Sequence, residues 1–460
     1  MSSPLIISVS GLRGEIGIAL TPEVAVCYAL AFSQATHSDK PFVVAYDGRR
    51  SGSLLVDAIT ASLNSVGRSV YDASVASTPT VGALVRTLGA SGGIQISASH
   101  NPRQFNGMKL FSSEGRVIPK SDGEAVLALY NGLRSGQLTP PYVDVDSLGE
   151  RVKLTDTTSA HLQLILQTVD VDLIRSHRFS VALDSNNGAG SVLGRILLDA
   201  LNCRYVILGD QANGDFLHTP EPTEENLQPV ISRARDFGVD VVFCQDPDAD
   251  RLALIDENGR YIGEEYTTAI CCKNRLQKAQ TSGERGPYNL VINCASSRMS
   301  LDIANEFGGE CFRSPVGEAN VVDLLKRKRA IYGGEGNGGP IDPRVGYVRD
   351  SFVGIAQALE MMARNSARLS EIADGIRNYS IVKRKVALPS GGFQKVIDLV
   401  STEFADEAVD TSDGVRVDFS DSWVLARPSN TEPIARVIAE APTRAQADAL
   451  CDQVETLMKQ

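Results

Sequence analysis

The chain has 460 residues, of which 43% are hydrophobic and 22% charged, with a net charge of −11 and a pI near 5.1. At about 150 residues per domain that length implies three or four domains, and the composition is that of a folded protein with sizeable cores. The acidic balance argues against general nucleic-acid or anionic-membrane binding, while leaving room for an anionic small molecule in a local basic pocket.

The first residues, MSSPLIISVSGLRG, lack the basic start and long apolar run of a signal peptide. No later stretch approaches the roughly 18 apolar residues of a membrane span. The eight cysteines are scattered without a CxxC pair and read as reduced thiols, so a cytoplasmic protein is expected. Residues 5–8 form a short strand leading into the turn Val9-Ser10-Gly11-Leu12-Arg13-Gly14, whose glycines let the backbone turn tightly and present Arg13. Residues 21–33 have helical periodicity behind a Thr-Pro-Glu start, with Thr21 as N-cap and Pro22 at the first helical position. A strand at 41–47, a helix at 54–66, a strand at 69–73 and a helix at 80–88 follow. This alternation implies βαβ units and a mostly parallel sheet.

Residues 93–110, GIQISASHNPRQFNGMKL, begin as a buried strand at 94–97 and break at Ser99-His100-Asn101-Pro102. Pro102 keeps Asn101 out of helical angles. Ser99 is therefore a hydroxyl at the carboxyl end of a strand, where open α/β sheets place their chemistry. His100 is beside it and Lys109 a short loop away. On this stretch alone, a capping serine in an ordinary turn is an equal reading.

The polar, proline-containing stretch 136–148 marks a boundary, after which the pattern restarts. A strand at 179–184 ends in Ser185-Asn186-Asn187-Gly188-Ala189-Gly190, and a strand follows at 204–208. A strand at 239–245 runs into Asp246-Pro247-Asp248-Ala249-Asp250-Arg251. A third cycle has a strand at 289–293, a strand end at 313–318 and a strand at 330–332 that opens into the glycine-rich 333–340. The tail, with strands within 380–388 and 414–427 and a final helix at 443–458, lacks the βαβ rhythm and reads as a smaller α+β domain. Four units are expected, at 1–148, 149–252, 253–366 and 367–460.

Three carboxylates at alternate positions, Asp246, Asp248 and Asp250, repel one another, and a divalent cation is the usual relief. An EF-hand count puts Glu257 at the twelfth position, but Arg251 stands where that loop needs glycine, and both flanks read as strands. Hard oxygen ligands at a strand end suit magnesium; a solvated acidic turn is the alternative. Gly334, Gly336 and Gly339 spell G-x-G-x-x-G, yet Pro340 and Pro343 follow where a dinucleotide fingerprint needs a helix. The loop reads instead as close backbone approach to a ligand, with Glu335 and Asn337 suited to sugar hydroxyls, or else as a plain glycine hinge. Arg427, Ser429, Asn430, Thr431 and Arg436 supply donors for a phosphate dianion, against the alternative of a turn with surface arginines. The basic run 326–329 closes a helix and takes no nucleic-acid role.

A serine with basic neighbours, an acidic triad, a polyol-type loop and a phosphate clamp occur in that order, one per segment. Together they resemble the α-D-phosphohexomutase superfamily over nearly the whole chain. Ser99-His100-Asn101-Pro102 with Asn106, Gly107 and Lys109 resembles its phosphoserine motif. DPDADR at 246–251, GEGNGG at 334–339 and RPSNTEP at 427–433 resemble its magnesium, sugar and phosphate loops. The resemblance implies three related α/β domains with mixed or parallel sheets, plus a C-terminal α+β domain, around a central cleft. It implies one Mg2+ per chain, held by Ser99, Asp246, Asp248 and Asp250. Ser99 then carries a phosphoryl group, Lys109 and Arg13 serve proton transfer and charge stabilisation, and His100 orients the serine. Gly317, Glu335 and Asn337 would meet the sugar; Arg427, Ser429, Asn430, Thr431 and Arg436 the non-reacting phosphate; Asn101 and Arg251 complete the site.

The implied partner is a small sugar phosphate, with hexose 1,6-bisphosphate as intermediate and activator, on a monomer or homodimer that binds neither nucleic acid nor membrane. Two departures stand out. Asn337-Gly338-Gly339 replaces the Ser-Gly-His of many members, which shifts acid/base work onto Lys109, and the N-terminal loop is Ser-Gly-Leu-Arg-Gly. SVSGLRG, SPVGEAN and GGEGNGG are most similar to the phosphoglucosamine mutase branch, with phosphomannomutase/phosphoglucomutase as the alternative. A magnesium-dependent phosphatase would not need the Arg427 clamp, and a silent sugar-phosphate binder would have no use for Ser99 and the triad together.

Overall fold

The computed structural model describes residues 5–8, 11–389, 392–428 and 434–459. Among them the first unit holds strands β1 (Ile6–Ser8), β2 (Gly11–Glu15), β3 (Phe42–Tyr46), β4 (Val70–Val75), β5 (Gly92–Ile96), β6 (Phe105–Ser112) and β7 (Arg151–Lys153). They form one sheet in the order β1-β2-β6-β5-β3-β4-β7. β3 runs parallel to β4 and β5, and β6 returns antiparallel between β5 and β2. The helix Pro22–Ala35 starts as its sequence dictates, with the Thr21 hydroxyl accepting from the Val24 N–H and proline in the first turn.

One local expectation changes. Residues 11–15 are not a turn that presents Arg13 but strand β2. A Cβ on Gly11 would stand 2.2 Å from the Met108 carbonyl oxygen, so glycine here serves the close approach of β2 and β6. Across the loop from Ser99, Lys109 lies within the eight-residue strand β6. Met108 and Leu110 of that strand pack into the core beneath the sheet while Phe111 packs on the other face, and the polar Asn106 and Lys109 obscure this alternation in the sequence.

The second unit contains β8 (Ser180–Asp184), β9 (Arg204–Leu208), β10 (Val241–Gln245) and β11 (Leu252–Asp256); the third contains β12 (Leu290–Asn293), β13 (Cys311–Ser314), β14 (Tyr332–Glu335) and β15 (Gly339–Ile341). Their sheets run β11-β10-β8-β9 and β13-β12-β14-β15. In both, and in the β3–β6 part of the first unit, the first strand pairs in parallel with the second and the third, and the fourth returns antiparallel beside the third. The shared strand order supports reading the three as divergent copies of one unit, which the sequence leaves as a guess. In each copy the turn between third and fourth strands carries the loop singled out above: Ser99, the aspartate triad, or GEGNGG. The strands Arg151–Lys153 and Leu252–Asp256 lie in the first and second sheets, past the divisions placed at 148 and 252.

The second and third units share one core, in which the helix Ser351–Asn365 is buried almost all round. The last unit is an antiparallel sheet of β16 (Ser380–Ala387), β17 (Ala408–Asp410), β18 (Val415–Asp418), β19 (Trp423–Pro428) and β20 (Ile434–Ala441), in the order β16-β20-β19-β18-β17. The helix Arg444–Met458 packs on it behind a Thr443/Gln446 capping box. Among the described residues, no helix is long and apolar enough to cross a membrane.

Candidate active site

Ser99 is 3% exposed and takes a left-handed φ of 49°, a conformation a non-glycine residue holds only when its surroundings enforce it. The enforcement comes from Arg49, itself 1% exposed. One end of its guanidinium, Nη2, donates to the Ser99 and Asn101 carbonyls at 2.6 and 2.7 Å. Nη1 donates to the Pro102 and Phe105 carbonyls at 2.9 and 3.3 Å. Asp47 accepts from Arg49 Nε at 2.9 Å and from Ser97 Oγ at 2.7 Å, and Ser97 Oγ in turn accepts from the Ser99 N–H at 2.8 Å. Sequence reading missed this buried frame. Its signal was a charged pair, Asp47 and Arg49, just past a buried parallel strand.

The Ser99 hydroxyl donates to Asp246 Oδ2 at 2.8 Å, and His100 Nδ1 lies 3.4 Å from Ser99 Oγ. Arg251, then burial and Arg13, drive the His100 pKa down to about 2, so the ring is neutral. Arg13 reaches the turn from β2, donating to Asn101 Oδ1 at 2.6 Å.

Asp246, Asp248 and Asp250 are each 0% exposed, and their ligand oxygens lie within 4.8 Å of one another. The Asp246 Oδ1 atom is satisfied by the N–H groups of Asp250 and Arg251, and Thr78 Oγ1 donates to Asp248 Oδ2 at 2.5 Å. Asp248 Oδ1 and Asp250 Oδ1 are buried without a hydrogen-bond partner. Burial, then the neighbouring carboxylates, push Asp246 well up. Asp250 goes the other way: burial would raise it, but Arg349, Lys109 and Arg251 outweigh burial and hold it low. Buried, crowded carboxylates with two orphaned oxygens fit a hard divalent cation such as Mg2+. Lys109 Nζ donates to Asp250 at 2.7 Å and Asp248 at 3.1 Å. Burial works against its charge, but these two carboxylates outweigh burial and raise its pKa, so the group is an ammonium. Arg251 Nη1 stands 3.4 Å from Glu221.

Arg349, unmarked in the sequence reading, joins the triad to the sugar loop. It donates to Asp250 Oδ2 and Glu335 Oε2, each at 2.7 Å, and its Nε is 3.3 Å from Glu318. The other Glu335 oxygen accepts from Asn293 Nδ2 at 2.8 Å and from the Gly317 N–H at 3.1 Å. Three of its acceptor positions are thus committed within the protein, leaving less for a sugar than the sequence suggested. Asn337 Oδ1 is buried without a partner.

Arg427 pairs in register with Arg436, and Arg436 with Lys385, which places three basic residues in one row across β19, β20 and β16. Lys385 was not foreseen; its signal lies in strand register, which spacing along the chain does not give. Arg427 Nε is 3.1 Å from Asp413, which also accepts from the Val316 N–H at 2.9 Å. Hydrogen bonds therefore run from Arg427 through Asp413 to the segment beside Gly317, on through Glu335 and Arg349 to Asp250. Ser429, Asn430 and Thr431 lie outside the described residues.

Residues 5–136, 159–259 and 264–379 match the alpha/beta/alpha domains I, II and III of the phosphoglucomutase/phosphomannomutase family, and residues 383–457 match its C-terminal domain. A probable phosphoglucosamine mutase of Methanopyrus kandleri is 30% identical, across 98% of this chain and 97% of its own length. A phosphoglucomutase/phosphomannomutase of Thermococcus kodakarensis is 34% identical, across 95% of this chain and 94% of its own. The crystal structure of a phosphoglucomutase/phosphomannomutase family protein from Burkholderia thailandensis superposes with a TM-score of 0.84 at 26% identity, covering 98% of this chain and 97% of that one.

Proposed function

The chain belongs to the phosphoglucomutase/phosphomannomutase family of phosphohexomutases, and we propose that it interconverts glucosamine 6-phosphate and glucosamine 1-phosphate through a phosphorylated Ser99. The substrate assignment is supported by the SVSGLRG, SPVGEAN and GGEGNGG segments and by relatives bearing the name probable phosphoglucosamine mutase. Phosphoglucomutase/phosphomannomutase activity is the second reading, favoured by the 34% identical relative of that name. Eight unpaired cysteines support a cytoplasmic location.

In this reading the phosphoryl group leaves Ser99 Oγ for the free hydroxyl of a hexose monophosphate. The bond from phosphorus to the serine oxygen breaks, a bond to the sugar oxygen forms, the sugar hydroxyl loses its proton and Ser99 Oγ gains one. The resulting hexose 1,6-bisphosphate turns over and returns its other phosphoryl group to Ser99. Asp246, Asp248, Asp250 and the serine's phosphoryl oxygens would hold Mg2+, which supplies Lewis-acid neutralisation of phosphoryl charge when bound.

In this reading the Lys109 ammonium, bound to Asp248 and Asp250, returns a proton to the serine oxygen and balances the triad. Neutral His100 orients Ser99 Oγ, and Arg13 steadies the turn through Asn101. Arg251 adds positive charge beside the triad, 3.9 Å from Asp246. Glu335, through its remaining acceptor position, and Asn337, whose Oδ1 is buried without a partner, meet sugar hydroxyls beside the Gly317 turn. Arg427 and Arg436, with Ser429, Asn430 and Thr431, hold the phosphate that does not react.

The observation that carries the reading is the Ser99 hydroxyl lying 2.8 Å from a carboxylate of a buried triad with orphaned oxygens. The test follows exchange between 1- and 6-phosphates by phosphorus NMR. It uses Mg2+, a trace of hexose 1,6-bisphosphate, and glucosamine, glucose or mannose phosphate in turn. Fastest exchange on glucosamine phosphate is expected. Faster exchange on glucose or mannose phosphate selects the second reading, and release of free phosphate alone identifies a phosphatase.

A further inference from the structure

The loop Ser185–Gly190 stands out in the sequence, yet none of its residues enters the reaction above. It anchors a long connection of the second unit. Asn186 and Asn187 both take left-handed φ values, 47° and 53°. Asn186 Oδ1 accepts from the Leu217 N–H at 2.7 Å, its Nδ2 donates to the His218 carbonyl at 3.1 Å, and Asn187 Nδ2 donates to the Asp215 carbonyl at 2.7 Å. The Gly214 N–H closes on the Asn187 carbonyl at 3.0 Å. From this anchor, residues 210–222 reach over to the first unit. The Phe216 ring lies 4.8 Å from the Arg49 guanidinium, the group that holds the Ser99 turn. Glu221 lies 3.4 Å from Arg251 and 3.9 Å from His100.

The ring of His218 is the deepest polar contact of this segment, 5% exposed against an Asp184 carboxylate that is fully buried. Its Nε2 is 2.7 Å from Asp184 Oδ2 and its Nδ1 is 2.9 Å from the Thr219 carbonyl. Both partners accept only, and they are the shorter contacts, so the geometry favours a proton on each ring nitrogen. The Asn186 amide nitrogen spends one hydrogen on the His218 carbonyl at 3.1 Å and stands 3.5 Å from Nδ1, farther than the Thr219 carbonyl at 2.9 Å.

We propose that His218 is a positioning residue for phosphoryl transfer: as an imidazolium bridging Asp184 and the Thr219 carbonyl, it fixes residues 210–222 against Arg49 and Arg251 and so holds the Ser99 turn in register with the triad. The inference rests on Ser99 being the phosphoryl-bearing residue. Burial alone would lower the His218 pKa, but the Asp184 bond and charge and the Thr219 carbonyl outweigh burial and raise it. Asp184 is the charged group that faces the ring. Cys244 faces Asp184 with a thiol pushed up by burial, and Asn186 does not titrate. A raised folded pKa carries the imidazolium to higher pH than a free histidine would, and it is lost as pH rises through the raised value.

The test compares His218→Gln, Asp184→Asn, Phe216→Leu and Ser99→Ala with the wild type. It reads kcat and KM for hexose phosphate exchange against pH, together with the ring signals of the five histidines in ¹³C-labelled protein. The His218 signal should titrate above the ordinary imidazole value of about 6.5. His218→Gln should lower kcat about tenfold near neutrality with KM within about twofold, and should remove the alkaline fall in kcat. Should His218→Gln not fold, Phe216→Leu carries the same test, with a fall in kcat at little changed KM and His218 still titrating high. A folded His218→Gln with wild-type kcat and pH profile, a Phe216→Leu with unchanged kcat, or a His218 ring neutral at pH 7, overturns the inference. Exchange surviving in Ser99→Ala would overturn the phosphoserine reading beneath it instead.

Discussion

The Arg349 guanidinium donates to Asp250 Oδ2 at 2.7 Å, tying the loop that would hold the metal to the loop that would hold the sugar. Arg349 is only 8% exposed and faces three carboxylates, Asp250, Glu335 and Glu318. Its removal leaves Glu335 and Glu318 buried without this cation, while Asp250 keeps Lys109, a loss of about 3–5 kcal/mol for a broken buried pair. Arg349→Met should therefore lower the melting temperature markedly and abolish exchange. Arg349→Lys, which keeps the charge but not the fork, should recover stability more than kcat. Melting curves and kcat for the two variants check this.

Mg2+ should stabilise the protein itself. The orphaned oxygens of Asp248 and Asp250 gain a partner, and a ligand at a hundred times its Kd adds about 2.7 kcal/mol. The melting temperature should rise with Mg2+ and fall with a chelator, and activity should follow. Asp248→Asn should lose most of the Mg2+-dependent rise, which thermal melts with and without the metal would read.

Gly338 links the sugar hairpin to β11. Its carbonyl accepts from the Leu252 N–H at 2.8 Å, its φ is 77°, and an added Cβ would meet the Leu252 carbonyl oxygen at 2.1 Å. Gly338→Ala should cost about 1–3 kcal/mol and displace Asn337, raising KM for the sugar phosphate. Unfolding in denaturant and steady-state kinetics measure the two effects separately.

Glu360, 0% exposed, accepts from the Asp170 N–H, Asn274, Lys278 and Arg364. Burial alone would raise its pKa, but the Asn274 and Lys278 contacts outweigh burial and hold it below the usual carboxylate value. A depressed folded pKa gives stability that is present above about pH 4.3 and is lost as pH falls through the lowered value. Unfolding free energy should therefore fall on the acid side in the wild type, and Glu360→Gln should be less stable at neutral pH with a shallower acid slope.

Local chemistry was the legible part of this chain. DPDADR, the Ser99 turn and GEGNGG each pack their polar groups into one strand-end turn, so spacing alone exposes them. Groups that act across the fold were not legible. Arg49 grips carbonyls about fifty residues away, Arg349 spans 99 residues to Asp250, and Lys385 joins Arg436 only through β-register. The strand at 11–15 read as a turn because its glycines serve close strand packing. The helix Ser351–Asn365 escaped because even its polar stripe is buried, with Gln357 and Glu360 both 0% exposed, so it does not read as a surface helix with one solvated face.

The most direct measurement is phosphoryl transfer to the enzyme itself. The protein is incubated with ³²P-labelled glucose 1,6-bisphosphate and Mg2+, and the label is then mapped by peptide mass spectrometry. Close to one label per chain is expected, on Ser99 in the turn that Arg49 holds, and Ser99→Ala should lose both label and exchange. Label on another residue, or full exchange in Ser99→Ala, would contradict the account.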